Sequence, residues 1–245
     1  MRPIRLYTEE QLNVGDSVFL KENSYHYLSK VLRVKKDQSI ILFDNSGYDY
    51  YGSVKKITKK YFDIFIEKKV FFEKQKSNIE VAFSICKNPC SDLIIQKLTE
   101  LGIDSVQPII SKNSVFKQKK IDPNKKLSHW RSISISSSEQ CERNYLPNIK
   151  KIISYQDYVE TCSYEQKIIL DTKSDKMLSS IYNRQIDSCS ILVGPEGDFT
   201  DEEYLYAKGA NFSSASLGDN ILRVETAVIS AFSYIKIINN SKVYE

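Results

Sequence analysis

The first 70 residues alternate short apolar segments with polar turns, a pattern typical of β-strands. Four segments are rich in β-branched and aromatic residues: 17–20, 39–43, 48–57 and 61–66. Asn45-Ser46-Gly47 predicts a turn between two of them. Residues 26–33 differ, because their apolar positions repeat with helical spacing and predict a short helix. Many short strands with one helix predict a small antiparallel β-barrel.

The pattern changes after a polar stretch at residues 72–78, where we place a domain boundary. From there on, predicted strands alternate with predicted helices. The strands are short apolar runs of the kind found in buried parallel sheets, at 79–86, 106–110, 167–171 and 190–193. The alternation predicts an α/β domain with a parallel sheet. The expected organisation is therefore a β domain over residues 1–72 and an α/β domain over residues 73–245.

Capping signals locate the helices of the second domain. Ser91 is a candidate N-cap for a helix that ends before Gly102, at residue 101. Thr200 and Glu203 form a capping box ahead of a helix over 201–208 that Gly209 should stop. For residues 128–143 the sequence is compatible with either a helix or a loop, because serines are weak helix formers. A long C-terminal amphipathic helix is predicted from one apolar face, formed by Val224, Ala227, Val228, Ala231, Ile235 and Ile238.

Composition excludes several classes of protein. Apolar residues make up 41% of the chain and charged residues 27%, which is ordinary globular composition. No apolar run approaches the ~20 residues of a membrane span, and no signal peptide is visible, so a cytoplasmic protein without membrane association is expected. The five cysteines are odd in number and scattered, which favours free thiols in a reducing compartment. No Cys or His cluster has metal-ligand spacing, so no metal site is expected.

Basic residues are concentrated near the N-terminus. Residues 1–76 carry 15 Lys/Arg and 10 Asp/Glu, a net charge of +5, whereas the remainder carries 20 and 21. Six lysines also lie between residues 112 and 126, opposed only by Asp122. This distribution suits an anionic partner such as nucleic acid, but because the net charge is modest, charge alone favours a solvated lysine-rich surface.

Two glycine-containing turns carry the candidate chemistry. Residues 193–199, VGPEGDF, follow a predicted strand and precede a capped helix, where α/β sheets bind ligands; a simple tight turn is the alternative. Residues 217–227, LGDNILRVETA, enter the last helix. Glu225 at the start of that helix is favourable with the helix dipole, but Arg223 is not, which indicates an anionic partner for Arg223.

Taken together, these segments resemble the bacterial 16S rRNA (uracil-N3)-methyltransferases of the RsmE type, within the SPOUT superfamily. The resemblance extends over nearly the whole chain. It rests on five motifs in one order: HYLSKVLR (26–33), IIQKLTELGI (94–103), EQCER (139–143), GPEGDF (194–199) and LGDNILRVETA (217–227).

The resemblance implies a PUA-like RNA-binding β-barrel, followed by a SPOUT domain with a trefoil knot. It also implies a homodimer that uses S-adenosylmethionine to methylate N3 of a uridine in the 16S rRNA of the small ribosomal subunit. The cofactor pocket would lie beside the dimer interface. The cofactor-binding residues carried over by position are Leu170, Gly194, Pro195, Glu196, Gly197, Leu217, Gly218, Ile221, Leu222 and Arg223.

Roles in catalysis and RNA binding follow from chemistry and charge. Methyl transfer to N3 requires removal of the imide proton, and the negative charge that develops on O2 and O4 needs a donor. Arg223 is the candidate for that donor, and Glu225 is a candidate base or partner that orients Arg223; solvent could equally take the proton. The residues expected to contact RNA phosphates are Arg5, His26, Arg33, Lys117, Lys119 and Lys120.

The sequence departs from the family pattern at Asp198, where the family has a second glycine. A carboxylate there could pair with the cofactor's sulfonium. Two other functions stay open at this stage: a SPOUT methyltransferase with another target, such as a ribose 2′-hydroxyl, and a non-catalytic RNA-binding or ribosome-assembly factor.

Overall fold

The computed structural model describes residues 3–74, 77–114 and 122–240. The chain forms two compact units. The first contains residues 1–75 and 138–146, and the second contains residues 76–137 and 147–245. The first unit thus includes a short segment from the middle of the chain in addition to its N-terminal part.

The first unit is built on one five-stranded sheet. Its strands are β1 (Ile4–Tyr7), β2 (Ser17–Leu20), β3 (Ser39–Phe43), β4 (Tyr48–Ile57) and β5 (Phe62–Phe71). They lie in the order β1-β3-β4-β5-β2. The predicted antiparallel barrel needs correction, because β1 pairs with β3 in parallel and no ladder between described residues joins β1 to β2. The predicted turn is confirmed, since Asn45 and Gly47 both have positive φ.

The predicted helix over residues 26–33 is present in a different form. A short helix α1 (Glu22–His26) continues into a π-helical segment over Tyr27–Val31. The wider turn is visible in the hydrogen bond from the Leu32 amide to the Tyr27 carbonyl, at 3.0 Å. Leu28 is the buried residue of this segment and packs into the core of the first unit.

A buried ion pair in the N-terminal part of the first unit is hydrogen-bonded to segment 138–146. Arg5 Nη2 donates to Asp49 Oδ1 at 2.6 Å, and the two side chains are 2% and 9% exposed. Asn144 donates to the same Asp49 oxygen, while Arg5 also donates to the Arg143 carbonyl. Burial raises the pKa of Asp49 and lowers the pKa of Arg5, although the two charges attract each other. Each of these buried charges therefore needs the other as its counter-ion.

The second unit contains a seven-stranded sheet in which every pairing is parallel. Its strands are β6 (Ile79–Ser84), β7 (Ser105–Ile110), β8 (Asn148–Ile149), β9 (Ile153–Ser154), β10 (Gln166–Leu170), β11 (Cys189–Val193) and β12 (Ser213–Ala215). The order is β12-β10-β11-β6-β7-β8, with β9 also paired to β7. Every residue of β6 and β11 is buried, as predicted for strands of this type.

Helices cover the sheet of the second unit. They are α2 (Cys90–Glu100), α3 (Pro123–Cys141), α4 (Tyr155–Thr161), α5 (Leu178–Ile181), α6 (Asp201–Gly209) and α7 (Val224–Asn240). Segment 128–143, left open by the sequence, is thus mostly helical. The end of α3 belongs to the first unit, because the compact units divide at Ser138.

The capping predictions have mixed outcomes. The capping box of Thr200 and Glu203 is confirmed. Gly102, with φ of +85°, ends α2 as predicted. Ser91 is not an N-cap, because α2 begins at Cys90 and the Ser91 hydroxyl instead donates to the Cys86 carbonyl. Helix α6 includes Gly209, and the left-handed residue that follows it is Asn211.

The apolar face of α7 is used inside the second unit. Val224, Val228, Ala231 and Ile235 are buried in the core that also contains residues of β6, β11 and α2. This confirms the predicted amphipathic helix, but its apolar face does not by itself indicate a dimer interface. Within the described part of the chain, no helix is long and apolar enough to cross a membrane.

Candidate functional site

A cavity of about 810 Å³ lies at the carboxyl ends of the strands in the second unit. It is lined by residues that directly follow β6, β10, β11 and β12, which are neighbours in the sheet. Parallel strands leave their carboxyl ends at one edge, where the loops that follow them meet. The size is in the range of small-molecule sites, roughly 300–1,000 Å³.

The loop after β11 forms one wall of the cavity. Its turn is closed by a hydrogen bond from the Asp198 amide to the Pro195 carbonyl, at 2.9 Å. Asp198 has a φ of +60°, a conformation that non-glycine residues seldom adopt. Its Oδ1 atom accepts hydrogen bonds from the Phe199 amide and the Tyr204 hydroxyl, so this carboxylate oxygen is engaged by the protein.

The loop after β12 forms a second wall and leads into α7. Gly218 has a φ of +123°, and a Cβ there would meet no other atom within 4 Å. The glycine therefore serves the backbone conformation and leaves open space beside it. Arg223, which precedes the first residue of α7, is exposed, and its carbonyl accepts from the Ala227 amide.

Two charged side chains of this second wall line the cavity, Arg223 and Glu225. Among the described residues, neither makes a side-chain hydrogen bond or ion pair. In the described part of the chain, Arg223 therefore forms no ion pair with Glu225 or Glu196 that would hold the turn. Arg223 lies at the positive end of the helix dipole without a carboxylate partner in the described part of the chain, which leaves it available to an anionic ligand.

A third wall, residues 87–90, follows β6 and was not singled out by the sequence. Cys86 and Cys90 form a disulfide that closes this loop, so the expectation of five free thiols is wrong for these two. Because a metal binds thiolates, the disulfide withholds both sulfurs from coordination, although Glu196 is close to them. The Lys87 amide donates to Glu196 Oε1 at 2.9 Å and so joins this loop to the loop after β11.

A polar cluster supports the same loop from α3. Lys126 is 8% exposed, and its Nζ donates to Asn88 Oδ1 at 2.7 Å and to Asp92 Oδ1 at 3.0 Å. Asp92 also accepts from His129 and from the indole of Trp130. Burial alone would raise the pKa of Asp92, but these hydrogen bonds outweigh burial and lower it. The charged side chains of Lys126 and Asp92 therefore form hydrogen bonds that support the loop of residues 87–90.

All ten residues predicted to bind the cofactor line the one cavity, together with Glu225. Sequence reasoning missed the residues of the lining that lie outside its motifs: Lys87, Asn88, Pro89, Cys90, Leu93, Asp171, Thr172, Ala215 and Ser216. Most of them directly follow β6 or β10. Their position after buried strands was a usable signal, but they carry no motif of their own.

The residues predicted to contact RNA have three different placements. His26 and Arg33 are exposed on the first unit. Arg5 is buried against Asp49 and lies over the Phe43 ring, which leaves no room for a phosphate at its guanidinium. Lys117, Lys119 and Lys120 lie outside the described residues.

Family models match both parts of the chain. Residues 73–236 match an RNA methyltransferase domain, and residues 20–67 match an RNA methyltransferase PUA domain. Ribosomal RNA small subunit methyltransferase E from Buchnera aphidicola of Schizaphis graminum is 32% identical over 244 residues, covering 95% of each chain.

Two solved structures share the fold over almost their full length. A methyltransferase from Legionella pneumophila, solved with bound SAM, has a TM-score of 0.90 and 28% identity, covering 97% of this chain and 98% of that one. Ribosomal RNA small subunit methyltransferase E from Neisseria gonorrhoeae, bound to S-adenosyl methionine, has a TM-score of 0.87 and 30% identity with the same coverage.

Proposed function

The chain belongs to the RNA methyltransferase family that includes ribosomal RNA small subunit methyltransferase E, and on that premise we propose that it methylates 16S rRNA with S-adenosylmethionine. The observation that carries this proposal is the single cavity lined by the ten residues at the expected positions. The finer part of the proposal is the target atom, N3 of a uridine, which follows from the five-motif resemblance. No observation favours a ribose target or a non-catalytic role.

The cavity fits the chemistry of this cofactor. Leu170, Leu217 and Leu222 offer apolar surface of the kind that a purine base contacts. Glu196 and Asp171 supply carboxylates for ribose hydroxyls and an ammonium group. The open space beside Gly218 allows the ligand to approach the backbone closely. Apolar and acidic groups thus occur together, as a nucleoside linked to an amino acid requires.

When bound, S-adenosylmethionine supplies an activated methyl group on a cationic sulfur. The task of the protein is then to align the acceptor and to stabilise the charge that develops on it. We assign charge stabilisation to Arg223, since its guanidinium is exposed at the cavity and has no carboxylate partner among the described residues. Its planar set of donors suits the oxygens of an imide anion.

Glu225 has two proposed roles that differ in their consequences. As a base it would accept the N3 proton, and as an orienting group it would hold the guanidinium of Arg223 during the reaction. It is half-buried at the rim of the cavity, two residues after Arg223. We favour the orienting role, because proton transfer to solvent is open at an exposed rim.

Three further features belong to the proposal: the first two rest on the family resemblance, and the third rests on the distribution of basic residues. The second unit would contain a trefoil knot, two copies of the chain would form a homodimer, and RNA would contact His26, Arg33 and the lysines at 117, 119 and 120. Sedimentation at micromolar concentration tests the dimer.

The test of function combines binding with product analysis. Calorimetric titration with S-adenosylmethionine is expected to give one site per chain. Incubation with the cofactor and small ribosomal subunits that lack the modification is then expected to yield 3-methyluridine in the 16S rRNA, detected by nucleoside mass spectrometry.

The outcomes separate the alternatives. Absence of cofactor binding would contradict any methyltransferase role and favour a non-catalytic RNA-binding factor. Binding with a 2′-O-methylated product would keep the enzyme class and overturn the target atom. The Arg223→Lys variant is the matched control, since it keeps the charge and should bind the cofactor while losing product.

A further inference from the structure

Asp198 and Tyr204 form a contact that the proposed methyl transfer does not itself require. Asp198 ends the turn of the loop after β11, and Tyr204 lies in α6, which follows that loop. The Tyr204 hydroxyl lies 2.6 Å from Asp198 Oδ1 and 3.2 Å from the Leu170 carbonyl. A phenol has one proton, and the shorter distance to a carboxylate indicates that Asp198 receives it.

The contact connects two walls of the cavity. Leu170 ends β10 and lines the cavity, as does Asp198 after β11. The Tyr204 hydroxyl reaches both, so its position links the ends of two adjacent strands. Burial is the main reason that the pKa of Tyr204 is raised well above its ordinary value, and the hydrogen bond to Asp198 adds to it. The phenol is therefore a hydrogen-bond donor at neutral pH.

The turn itself needs such support. Asp198 has a positive φ, which is strained for a residue with a side chain. Its carboxylate compensates locally by accepting from the Phe199 amide at 2.8 Å. On the other side of the turn, Asn113 Nδ2 donates to the carbonyls of Gly197 and Asp198, each at 3.0 Å. The turn is thus held from both sides by side chains.

We propose that Asp198 and Tyr204 are positioning residues that fix the turn 194–198 in the conformation that receives the cofactor. The inference rests on the proposed function, because the ligand of the cavity is S-adenosylmethionine. Fixing a turn beforehand strengthens binding by removing the cost of ordering it. The pair should therefore change cofactor affinity, while the rate of methyl transfer at saturating cofactor should depend on Arg223 instead.

The primary experiment measures the Kd of S-adenosylmethionine by calorimetry for Tyr204→Phe, with RNA absent. The substitution keeps the ring that packs edge-to-face on Phe199, with ring centroids 5.7 Å apart, and removes only the hydroxyl. A hydrogen bond to a charged group is stronger than one between neutral groups, and the loss of part of it should raise Kd roughly tenfold. The KM for the cofactor should rise with Kd, while kcat stays near the wild-type value.

Tyr155→Phe is the matched control. Tyr155 also packs on Phe199, and its buried hydroxyl also donates one hydrogen bond, but to the Glu203 carbonyl of α6 and not to the turn. This variant should lose comparable stability and keep the wild-type Kd. If both tyrosine variants weaken binding equally, the effect is a general loosening of α6 and the proposal is overturned.

Asp198 provides a second, independent test. Asp198→Asn keeps an acceptor for the Phe199 amide and for Tyr204, and should raise Kd by less than about threefold, because only the charge assistance is lost. Asp198→Ala removes both acceptors, keeps the Cβ at the positive φ, and should raise Kd at least as much as Tyr204→Phe. The double variant Asp198→Ala with Tyr204→Phe should bind no worse than Asp198→Ala alone. Additive effects in the double variant would show that the two residues act separately.

The design separates this proposal from the function on which it rests. If the wild-type protein does not bind S-adenosylmethionine, the proposed function fails and the positioning role falls with it. If the wild type binds and Tyr204→Phe binds equally well, only the positioning role fails.

Discussion

Two arginines, each expected from the sequence to meet an anion, are used in opposite ways by the two units. Arg5 in the first unit is buried, and its guanidinium is bound by Asp49 and by the Arg143 carbonyl. Arg223 in the second unit is exposed at a cavity, without a side-chain partner among the described residues. The anion that Arg5 meets belongs to its own chain.

The difference shows what distinguishes a structural charge from a functional one. A buried charge must be paired and hydrogen-bonded within the fold, so its substitution is expected to change stability. A charge at an open cavity costs the fold little, so its substitution is expected to change binding or rate. The predictions below test whether this division holds, beginning with the largest expected effect.

Asp49→Ala should lower the free energy of unfolding by about 3–5 kcal/mol, because it leaves the buried guanidinium of Arg5 without a carboxylate. Denaturant unfolding followed by fluorescence measures the change. The exposed ion pair of Lys173 and Asp201, with side chains 74% and 87% exposed, is the control, and Lys173→Ala should leave the midpoint unchanged. If the Asp49→Ala protein is as stable as wild type, the ion pair of Arg5 does not stabilise the fold.

Arg223→Lys should reduce single-turnover methyl transfer by roughly a hundredfold or more, since it loses the fork of donors that stabilises the developing charge. Its melting temperature and its affinity for S-adenosylmethionine should stay near the wild-type values. Measuring all three on one preparation is essential. A collapse of the melting temperature with a normal rate in the folded fraction would make Arg223 a second structural arginine.

Asp92 offers an intermediate case, because it is charged, partly buried and placed behind the cavity. At neutral pH, Asp92→Asn should cost roughly 1.5–3 kcal/mol of unfolding free energy through weaker hydrogen bonds from Lys126 and His129. Since its pKa is lowered in the folded state, the contribution is present above the unfolded pKa of 3.8 and is lost as pH falls through the folded pKa.

The measurement is a series of unfolding curves for wild type and Asp92→Asn between pH 7 and pH 3. The difference in unfolding free energy between the two proteins should be constant down to about pH 5 and should become smaller below that pH. If that difference is unchanged at pH 3, Asp92→Asn destabilises the protein through packing and not through the lost charge.

Glu225→Gln should have the smallest effect, a loss of about tenfold or less in rate, because we assign it to orienting Arg223. The pH–rate profile should keep its shape. General-base catalysis typically contributes about 10²–10⁴-fold, so a loss in that range together with an altered profile would identify Glu225 as the base.

Much of the fold follows from local signals in the sequence. The boundaries of β2, β3 and β4 coincide with apolar runs, and the capping box at Thr200 locates α6. Strand β1 was missed, because Arg5 interrupts its short apolar run IRLY and its parallel partner β3 is distant in the chain. The prediction of Ser91 as an N-cap was wrong. Its hydroxyl donates a hydrogen bond to the Cys86 carbonyl, and no local sequence pattern indicates that contact.

The candidate site was predictable where glycine motifs mark it and hidden elsewhere. Turns 194–197 and 217–223 carry unusual residues at strand ends, and they meet at one cavity. The loop 87–90 reaches the same cavity through the order of strands in the sheet, which depends on pairings between residues far apart in sequence. The role of Arg5 was hidden for the same reason. Its charge is evident from the sequence, but its contact with Asp49, which also binds Asn144, joins residues far apart in the chain.

The composition of the first unit has a consequence for synthesis on the ribosome. Its strands are complete by residue 71, yet segment 138–146, which brings Asn144 to Asp49, is made about 70 residues later. At about 5–20 residues per second, that delay is roughly 4–14 seconds. Until then Asp49 lacks the hydrogen bond from Asn144, so the first unit is completed only after β6, α2, β7 and the part of α3 that belongs to the second unit have been translated.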